Sequence, residues 1–280
     1  MAGENLISID GIVSPRLHVE VALLPSLARG ADDNVCIAID VLRAGTSLAY
    51  MARTGVREVI VTPDPPAARE AARAIGSAAL LGGESDGMKP EDFDLGNSPI
   101  AYADPSLAER PIVFCSSNGA RALHLLLAAP VLMAGALVNA GAVARVALAA
   151  ALDQGRGIII VCAGEGHGTA VGLEDTFCAG LIVDHLKHLR SEGDLALDDS
   201  ALLAFRLFDS YRPSVGSSID RSTRGAEQML RECEAAHVLK RLGYEDDVRA
   251  CGAVDTIDAV MTVVVVDGQQ VGRPVTVAPT

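Results

Sequence analysis

Val35-Cys36-Ile37-Ala38-Ile39-Asp40 is a short apolar run that ends on an acid, and Val41-Leu42-Arg43-Ala44-Gly45-Thr46 turns it at once into a helical pattern. Apolar residues in continuous rather than alternating order are what a strand buried on both faces requires. The same grammar recurs twice: residues 111–114 lead into Ser116-Ser117-Asn118-Gly119, and residues 157–161 lead into Gly164-Glu165-Gly166-His167-Gly168. A further strand is expected over 58–62, followed by a helix over 65–75 with proline in its first turn. Helices are expected over 122–129, 140–152 and 173–189, with a strand at 131–136 between the first two. Strands alternating with helices predict an α/β fold, a three-layer sandwich with a largely parallel or mixed central sheet and helices on both faces.

Outward from these units the signals weaken. Residues 190–200 are polar and acidic and read as a surface connection, with a helix resuming over 196–207. The serine-rich stretch 213–224 reads as an exposed loop before a helix over 226–242. The β-branched run 259–266 and the turn signal Asp267-Gly268 predict a terminal hairpin. No boundary is sharp enough to cut the chain, so one domain over 1–280, or two intimately packed lobes, is expected.

Composition narrows the class. Half of the 280 residues are hydrophobic but only 3% are aromatic and none is Trp, so Ala, Val, Leu and Ile must fill the core. A net charge of −13 argues against a nucleic-acid partner. The six cysteines are dispersed without a C-x-x-C pair and read as reduced, buried thiols. Met1-Ala2-Gly3-Glu4-Asn5 lacks the basic start of a signal peptide, and no apolar run reaches the ~18 residues of a membrane span. No membrane partner is expected, the cytoplasm is the expected compartment, and a homo-oligomer is compatible with such a chain.

In open parallel sheets, ligands bind at the carboxyl ends of the strands, where the polar turns lie. Asp40 would stand at such an end with Arg43 in the same turn; the acid either caps the next helix or faces a ligand, and the guanidinium suits phosphate or carboxylate. Ser117, Asn118 and Gly119 offer hydroxyl, amide and backbone N–H groups to an anion, although the same residues serve as an ordinary cap and turn. Gly164-x-Gly166-x-Gly168 fits neither the dinucleotide fingerprint nor the Walker sequence. His167 within it either transfers protons or faces solvent. The adjacent acids Glu174 and Asp175 at a helix start either ligate Mg²⁺ or complement the helix dipole. Gly82-Gly83-Glu84 and Phe93-Asp94-Leu95-Gly96-Asn97-Ser98-Pro99 read as an ordered polar loop. Its Glu84, Asp94, Asn97 and Ser98 carry the oxygen donors that hard cations select, or else cap the loop itself.

Taken together, Ile39-Asp40-Val41-Leu42-Arg43-Ala44, Gly82-Gly83-Glu84, the stretch 93–99, Ser117-Asn118-Gly119, Cys162-Ala163-Gly164 and Glu174-Asp175 ahead of Ala179-Gly180 resemble the magnesium-dependent 2-phosphosulfolactate phosphatases of coenzyme M biosynthesis and their bacterial relatives. The resemblance spans about residues 35–185, with a weaker echo over 243–268. It departs from the family where Ser85 replaces the usual Arg after Gly-Gly-Glu, and where Ser116-Ser117-Asn118-Gly119-Ala120 replaces a threonine-rich version. The resemblance implies Mg²⁺-dependent hydrolysis of a phosphate monoester on a small anionic acid, most directly 2-phosphosulfolactate to sulfolactate and phosphate. It implies metal ligands drawn from Glu84, Asp94, Glu174 and Asp175, an anion oriented by Arg43, Asn97, Ser98, Ser117, Asn118 and Gly119, and strand-end N–H groups that receive phosphoryl charge. Asp40 is left as ligand, base or nucleophile. Two other readings stand beside it: a noncatalytic binding protein for a phosphorylated or sulfonated metabolite, and a nucleotide-binding oxidoreductase built on Gly164 to Gly168.

Overall fold

A computed structural model describes residues 6–9, 12–191, 193–213, 218–266 and 269–277. The pair β1 (Leu6–Ile9) and β2 (Ile12–Pro15) precedes β3 (Leu17–Ala22) and β4 (Val35–Ile39). There follow α1 (Ala44–Thr54), β5 (Glu58–Thr62), α2 (Pro65–Ile75), β6 (Leu80–Gly83), β7 (Pro111–Cys115), α3 (Gly119–Leu125) and β8 (Val131–Gly135). The second half carries α4 (Ala140–Gln154), β9 (Ile158–Cys162), α5 (Leu173–Leu189), β10 (Leu195–Leu197), α6 (Asp199–Tyr211), α7 (Ser218–Glu232), α8 (Glu234–Arg241) and α9 (Glu245–Cys251). The last strands described are β11 (Ala259–Val266) and β12 (Gln269–Thr276).

Ten strands form one sheet in the order β10-β3-β9-β4-β8-β11-β12-β5-β7-β6. The first five are mutually parallel, and so are the last three. Between the two blocks stands the antiparallel hairpin β11–β12, antiparallel also to β8 and β5. Three successive antiparallel pairings reverse the direction of the second block. Both blocks nevertheless deliver their carboxyl ends to one place: a Cβ built at Gly119, after β7, would lie 2.5 Å from Asp40 Oδ2, after β4. The sheet must therefore wrap around the two helices, α1 and α3, through which the chain crosses between the blocks.

Packing follows from this arrangement. Helices α1 and α3 share a buried cluster with strands of both blocks, including Cys36, Ala38, Leu48, Val61, Phe114, Leu123 and Met261. On the other face of the larger block, α4, α5 and α6 bury Val143, Ala147, Phe177, Leu181, Ile182 and Phe208. Helix α2 covers the outer face of the smaller block through Ala68 and Ala71 against Ile60 and Val113. These layers are the expected sandwich, and every one of the five residues in β4, β7 and β9 is buried, as continuous apolar runs require.

Three expectations need correction. Residues 218–224 are not loop but the first half of α7, which buries Ala226, Met229 and Leu230; its serines hid that face. The helix expected over 226–242 is broken at Cys233 into α7 and α8. The glycines at 82–83 belong to edge strand β6 rather than to a loop, because side chains there would strike Tyr102 Oη at 2.5 Å and Cys115 O at 1.9 Å. The connection 190–200 contains the short strand β10, and the hairpin turn at Asp267-Gly268 lies outside the described residues. The expected terminal hairpin is present as β11–β12; β5 pairs only with Gln270 to Gly272 of β12, so the missing N–H of Pro274 costs no bond to β5.

Gly180 shows how tightly the outer layer is built. A Cβ there would lie 2.1 Å from Ala204 O, the backbone of α6 where it crosses α5. Gly180→Ala gains about 1 kcal/mol of helix propensity, but backbone cannot step aside and overpacking of this kind costs about 1–3 kcal/mol or more. We expect net destabilisation, read as a lower thermal midpoint; an unchanged or raised midpoint would show that α6 yields at no cost.

Candidate active site

Turns after four strands reach one cavity of about 470 Å³. Asp40, Leu42 and Arg43 come from the end of β4, Glu84, Asp86 and Gly87 from β6, Ser117 and Asn118 from β7, and Glu165, Gly166 and His167 from β9. Asn97 joins them, and Ala235, Val238, Leu239 and Leu242 of the α8 segment form an apolar wall. The strand-end turns contribute most of the cavity's carboxylates, and the α8 segment contributes Glu234 beside its aliphatic side chains.

Asp175, in the first turn of α5, sets the distance between two of these turns. Its Oδ1 accepts from Val41 N–H at 2.9 Å and its Oδ2 from Gly164 N–H at 3.0 Å. Both oxygens of the expected ligand are thus committed to backbone, and Asp175 does not line the cavity. Its neighbour Glu174 is buried behind the cavity, where its Oε2 accepts from Cys233 Sγ at 3.0 Å. Asp94 is exposed on the far side of β6, its Oδ2 accepting from Leu81 N–H at 2.8 Å. Of the four expected metal ligands only Glu84 lines the cavity.

Glu84 is itself heavily engaged. Its Oε1 accepts from Ser117 N–H at 2.7 Å, and its Oε2 accepts from Gly87 N–H at 2.6 Å and Ser117 Oγ at 3.1 Å. Ser117 Oγ in turn accepts from Asp86 N–H at 2.8 Å. Strand-end N–H groups expected to receive an anion are therefore spent on a carboxylate. The helix cap that Ser-x-Asn-Gly suggested is made by Ser116, whose Oγ accepts from Ala120 N–H at 2.8 Å. Asp86 and Gly87, with φ of 50° and 81°, turn the chain between Ser85 and Met88, whose backbones bond each other. Ser85 is exposed and lines nothing in the cavity.

Asp40 both caps and faces the cavity. Its Oδ1 accepts from Ala44 N–H at 3.1 Å at the start of α1, and Gly119 N–H also supports it. Arg43 is buried; Nη1 donates to Asp247 Oδ2 at 2.7 Å, Nη2 donates to Gly87 O at 3.2 Å, and the ring of Tyr244 lies 4.2 Å from Cζ. Ser98, expected at the anion, instead donates from Oγ to Asp247 Oδ1 at 2.6 Å. Asn118 Oδ1 accepts from His167 N–H at 2.8 Å, and the His167 ring stands 3.4 Å from Asp86 Oδ1. Asn97 has a buried Oδ1 without a protein donor, and Gly119 contributes the space that lets its turn approach Asp40.

Charge in this region is one-sided. Burial first, then Glu84 and Glu174, push the Asp40 carboxyl up to about 7 against the pull of two backbone N–H groups. Burial, then Glu174 and Asp40, raise Glu165 to about 8. Burial and the Glu174 charge also hold Asp175 well above the ordinary range. The guanidinium that lines the cavity is already paired with Asp247. Such crowding suits a hard cation by donor chemistry. Among the described residues, however, no three His, Cys, Asp or Glu side chains stand together as a ready metal cage. Glu165, Asp86, Asp247 and the α8 wall carried no assignment from sequence; Glu165 shares the β9 turn with His167, and Asp86-Gly87 is a turn dipeptide beside Glu84.

Fold and cavity together place a candidate site at the carboxyl ends of the strands of an α/β protein. Known sequences agree. The sequence model of the 2-phosphosulpholactate phosphatase family matches residues 23–265. A probable 2-phosphosulfolactate phosphatase of Gloeobacter violaceus is 32% identical over 244 residues, 87% of this chain and 94% of its own length. A protein of the same name from Deinococcus radiodurans is 35% identical over 250 residues, 89% of this chain and 94% of its own. The chain belongs to the 2-phosphosulpholactate phosphatase family, and its class is that of the phosphoric monoester hydrolases.

The raised carboxyls make a pH prediction with a definite sign. A folded state that holds protons more tightly than the unfolded chain loses stability as pH rises from the ordinary carboxylate range, about 4, through the folded values of about 7 and 8. Glu165→Gln removes one such group. In the absence of divalent cation it should raise the thermal midpoint by a few degrees at pH 8 and by progressively less toward pH 5; an equal shift at both pH values would show that Glu165 does not titrate this way.

Proposed function

We propose that this protein hydrolyses 2-phosphosulfolactate to sulfolactate and phosphate in a Mg²⁺-dependent reaction. The observation that carries the reading is the convergence of Asp40, Glu84 and Glu165 on one cavity in a chain of this family. Oxygen donors of Asp40 and Glu84 would hold Mg²⁺, which characteristically takes one or two carboxylates and completes its shell with water and substrate phosphate. When bound, the ion supplies charge neutralisation for phosphate and carboxylates alike.

The protein's own groups divide the remaining work. Arg43 offers the substrate a cation that is fixed in place. As water attacks phosphorus and the ester P–O bond breaks, Glu165, its carboxyl held up to about 8, can hand its proton to the departing alkoxide oxygen of sulfolactate and is reprotonated by the proton the attacking water gives up. Asn97, with its amide oxygen unspent, and the apolar α8 wall bound the space left for the organic acid. All six cysteines are free and buried, which supports a reducing compartment, the cytoplasm. No helix among the described residues is long and apolar enough to cross a membrane. Sulfolactate as product supports a role in coenzyme M biosynthesis or in the metabolism of a related sulfonate.

Phosphate release from 2-phosphosulfolactate, measured with Mg²⁺ and with chelator, tests the reading. We expect turnover that chelator abolishes, and a kcat lowered by roughly 10²–10⁴-fold in Asp40→Asn. Turnover indifferent to chelator would remove the metal, and no release from this or a panel of small phosphate monoesters would remove the phosphatase assignment from this site.

A further inference from the structure

The carboxylate-rich cavity poses a problem for its own cation. A guanidinium on a flexible stem, placed among Asp40, Glu84 and Glu165, would be drawn onto one of them and lost to the substrate. The structure shows what prevents this. Asp247, in α9 and 204 residues away in sequence, takes Nη1 of Arg43 through Oδ2 at 2.7 Å. The two side chains are only 5% and 3% exposed, so solvent does not screen the pair. The other oxygen of Asp247 is fixed by Ser98 Oγ at 2.6 Å, and Tyr244, three residues before Asp247, stacks its ring on the guanidinium at 4.2 Å.

We propose that Asp247 is the positioning residue for Arg43, holding the guanidinium at the cavity wall and away from the carboxylates, with Ser98 and Tyr244 completing the clamp. This rests on the reading that Arg43 meets the substrate anion. Of the five N–H donors of the guanidinium, Asp247 and Gly87 O use two. The remainder are what a cavity-lining Arg43 can offer phosphate, already oriented and without further ordering of the side chain. A purely structural role explains the pair less well. Buried ion pairs are often no more stabilising than apolar residues of the same size, so the fold alone gives little reason for one here. The clamp also explains why Ser98 turns away from the cavity while Asn97 lines it: Ser98 acts through Asp247.

A double-mutant cycle tests the assignment, with KM and kcat for 2-phosphosulfolactate in Mg²⁺, the inhibition constant of inorganic phosphate, and the thermal midpoint as readouts. Asp247→Asn should raise KM and the phosphate inhibition constant about tenfold, as loss of one oriented charged hydrogen bond predicts. In an Arg43→Ala background the same change should move neither by more than about twofold, because nothing is left to position. Ser98→Ala, which leaves both charges in place, should give a smaller loss in the same direction and guards against misfolding of the charge variants. Full additivity of Asp247→Asn and Arg43→Ala, or midpoints that fall while KM and phosphate inhibition stay at wild-type values, would overturn the positioning role. An Arg43→Ala enzyme with unchanged KM and phosphate inhibition would overturn it as well. Absence of phosphate release from the wild type would instead remove the functional reading on which it rests.

Discussion

A single buried carboxylate ties together two of the four turns that form the cavity. Asp175 accepts from Val41 N–H and Gly164 N–H, the residues that follow Asp40 and precede Glu165. The ends of neighbouring strands β4 and β9, already paired by the bond from Ala163 N–H to Ile39 O at 2.8 Å, are thereby joined by one side chain as well. The cost is high: burial and adjacent charge both disfavour the ionised acid, and two backbone donors offset that only in part. A carboxylate in the first turn of a 17-residue helix gains further from the helix dipole. Asp175 therefore helps to place the turns that carry Asp40 and Arg43 on one side and Glu165 and His167 on the other.

Once those turns are fixed, repulsion becomes the governing term. Glu84 and Glu174 raise the cost of ionising Asp40, all three raise that of Glu165, and the nearest guanidinium is committed to Asp247. Backbone donors Ala44 and Gly119 relieve Asp40 only in part, and Glu84 is bonded by Gly87 and Ser117. The residual field favours proton uptake by Glu165 and Asp40 near neutral pH, and its oxygen donors are of the kind that suits a hard cation. A phosphatase can use both, because a bound cation makes room for a phosphate dianion and a retained proton can leave with the alkoxide.

Most of the scaffold was legible in the sequence, and the reason is periodicity. β4, β5, β7, β8 and β9 are continuous apolar runs, and α2, α4 and α5 carry plain start and stop signals, so burial on both faces announces itself locally. The hairpin β11–β12 was legible as well, but β6 was hidden because its glycines answer to close neighbours, Tyr102 and Cys115, that are distant in sequence. The same limit applies to the site. Asp40, Arg43, Glu84 and the Ser117-Asn118 turn stand at strand ends and could be found. The division of labour among acids could not, because Asp94, Glu174 and Asp175 differ from Glu84 only in which backbone donors or thiol their oxygens meet. Asp247 is more distant still: its partner lies 204 residues earlier.

The two cavity carboxyls held up to about 7 and 8 are also built with opposite mechanical character. Asp40 is enclosed by backbone. Side chains at Gly45 or Gly119 would come within 2.5 Å of Asp40 O or Oδ2, so any ligand must come to it. Glu165 sits in a turn where Gly164, Gly166, His167 and Gly168 all have positive φ. For His167, at 59°, that conformation costs about 1–3 kcal/mol. The cost is offset by its N–H bond to Asn118 and by the ring's approach to Asp86 and Ser117 O. Those partners belong to the turns after β6 and β7, which Glu84 also binds. The position of Glu165 thus depends on the same two turns that Glu84 ties together, whereas Asp40 meets the β7 turn directly through Gly119 N–H.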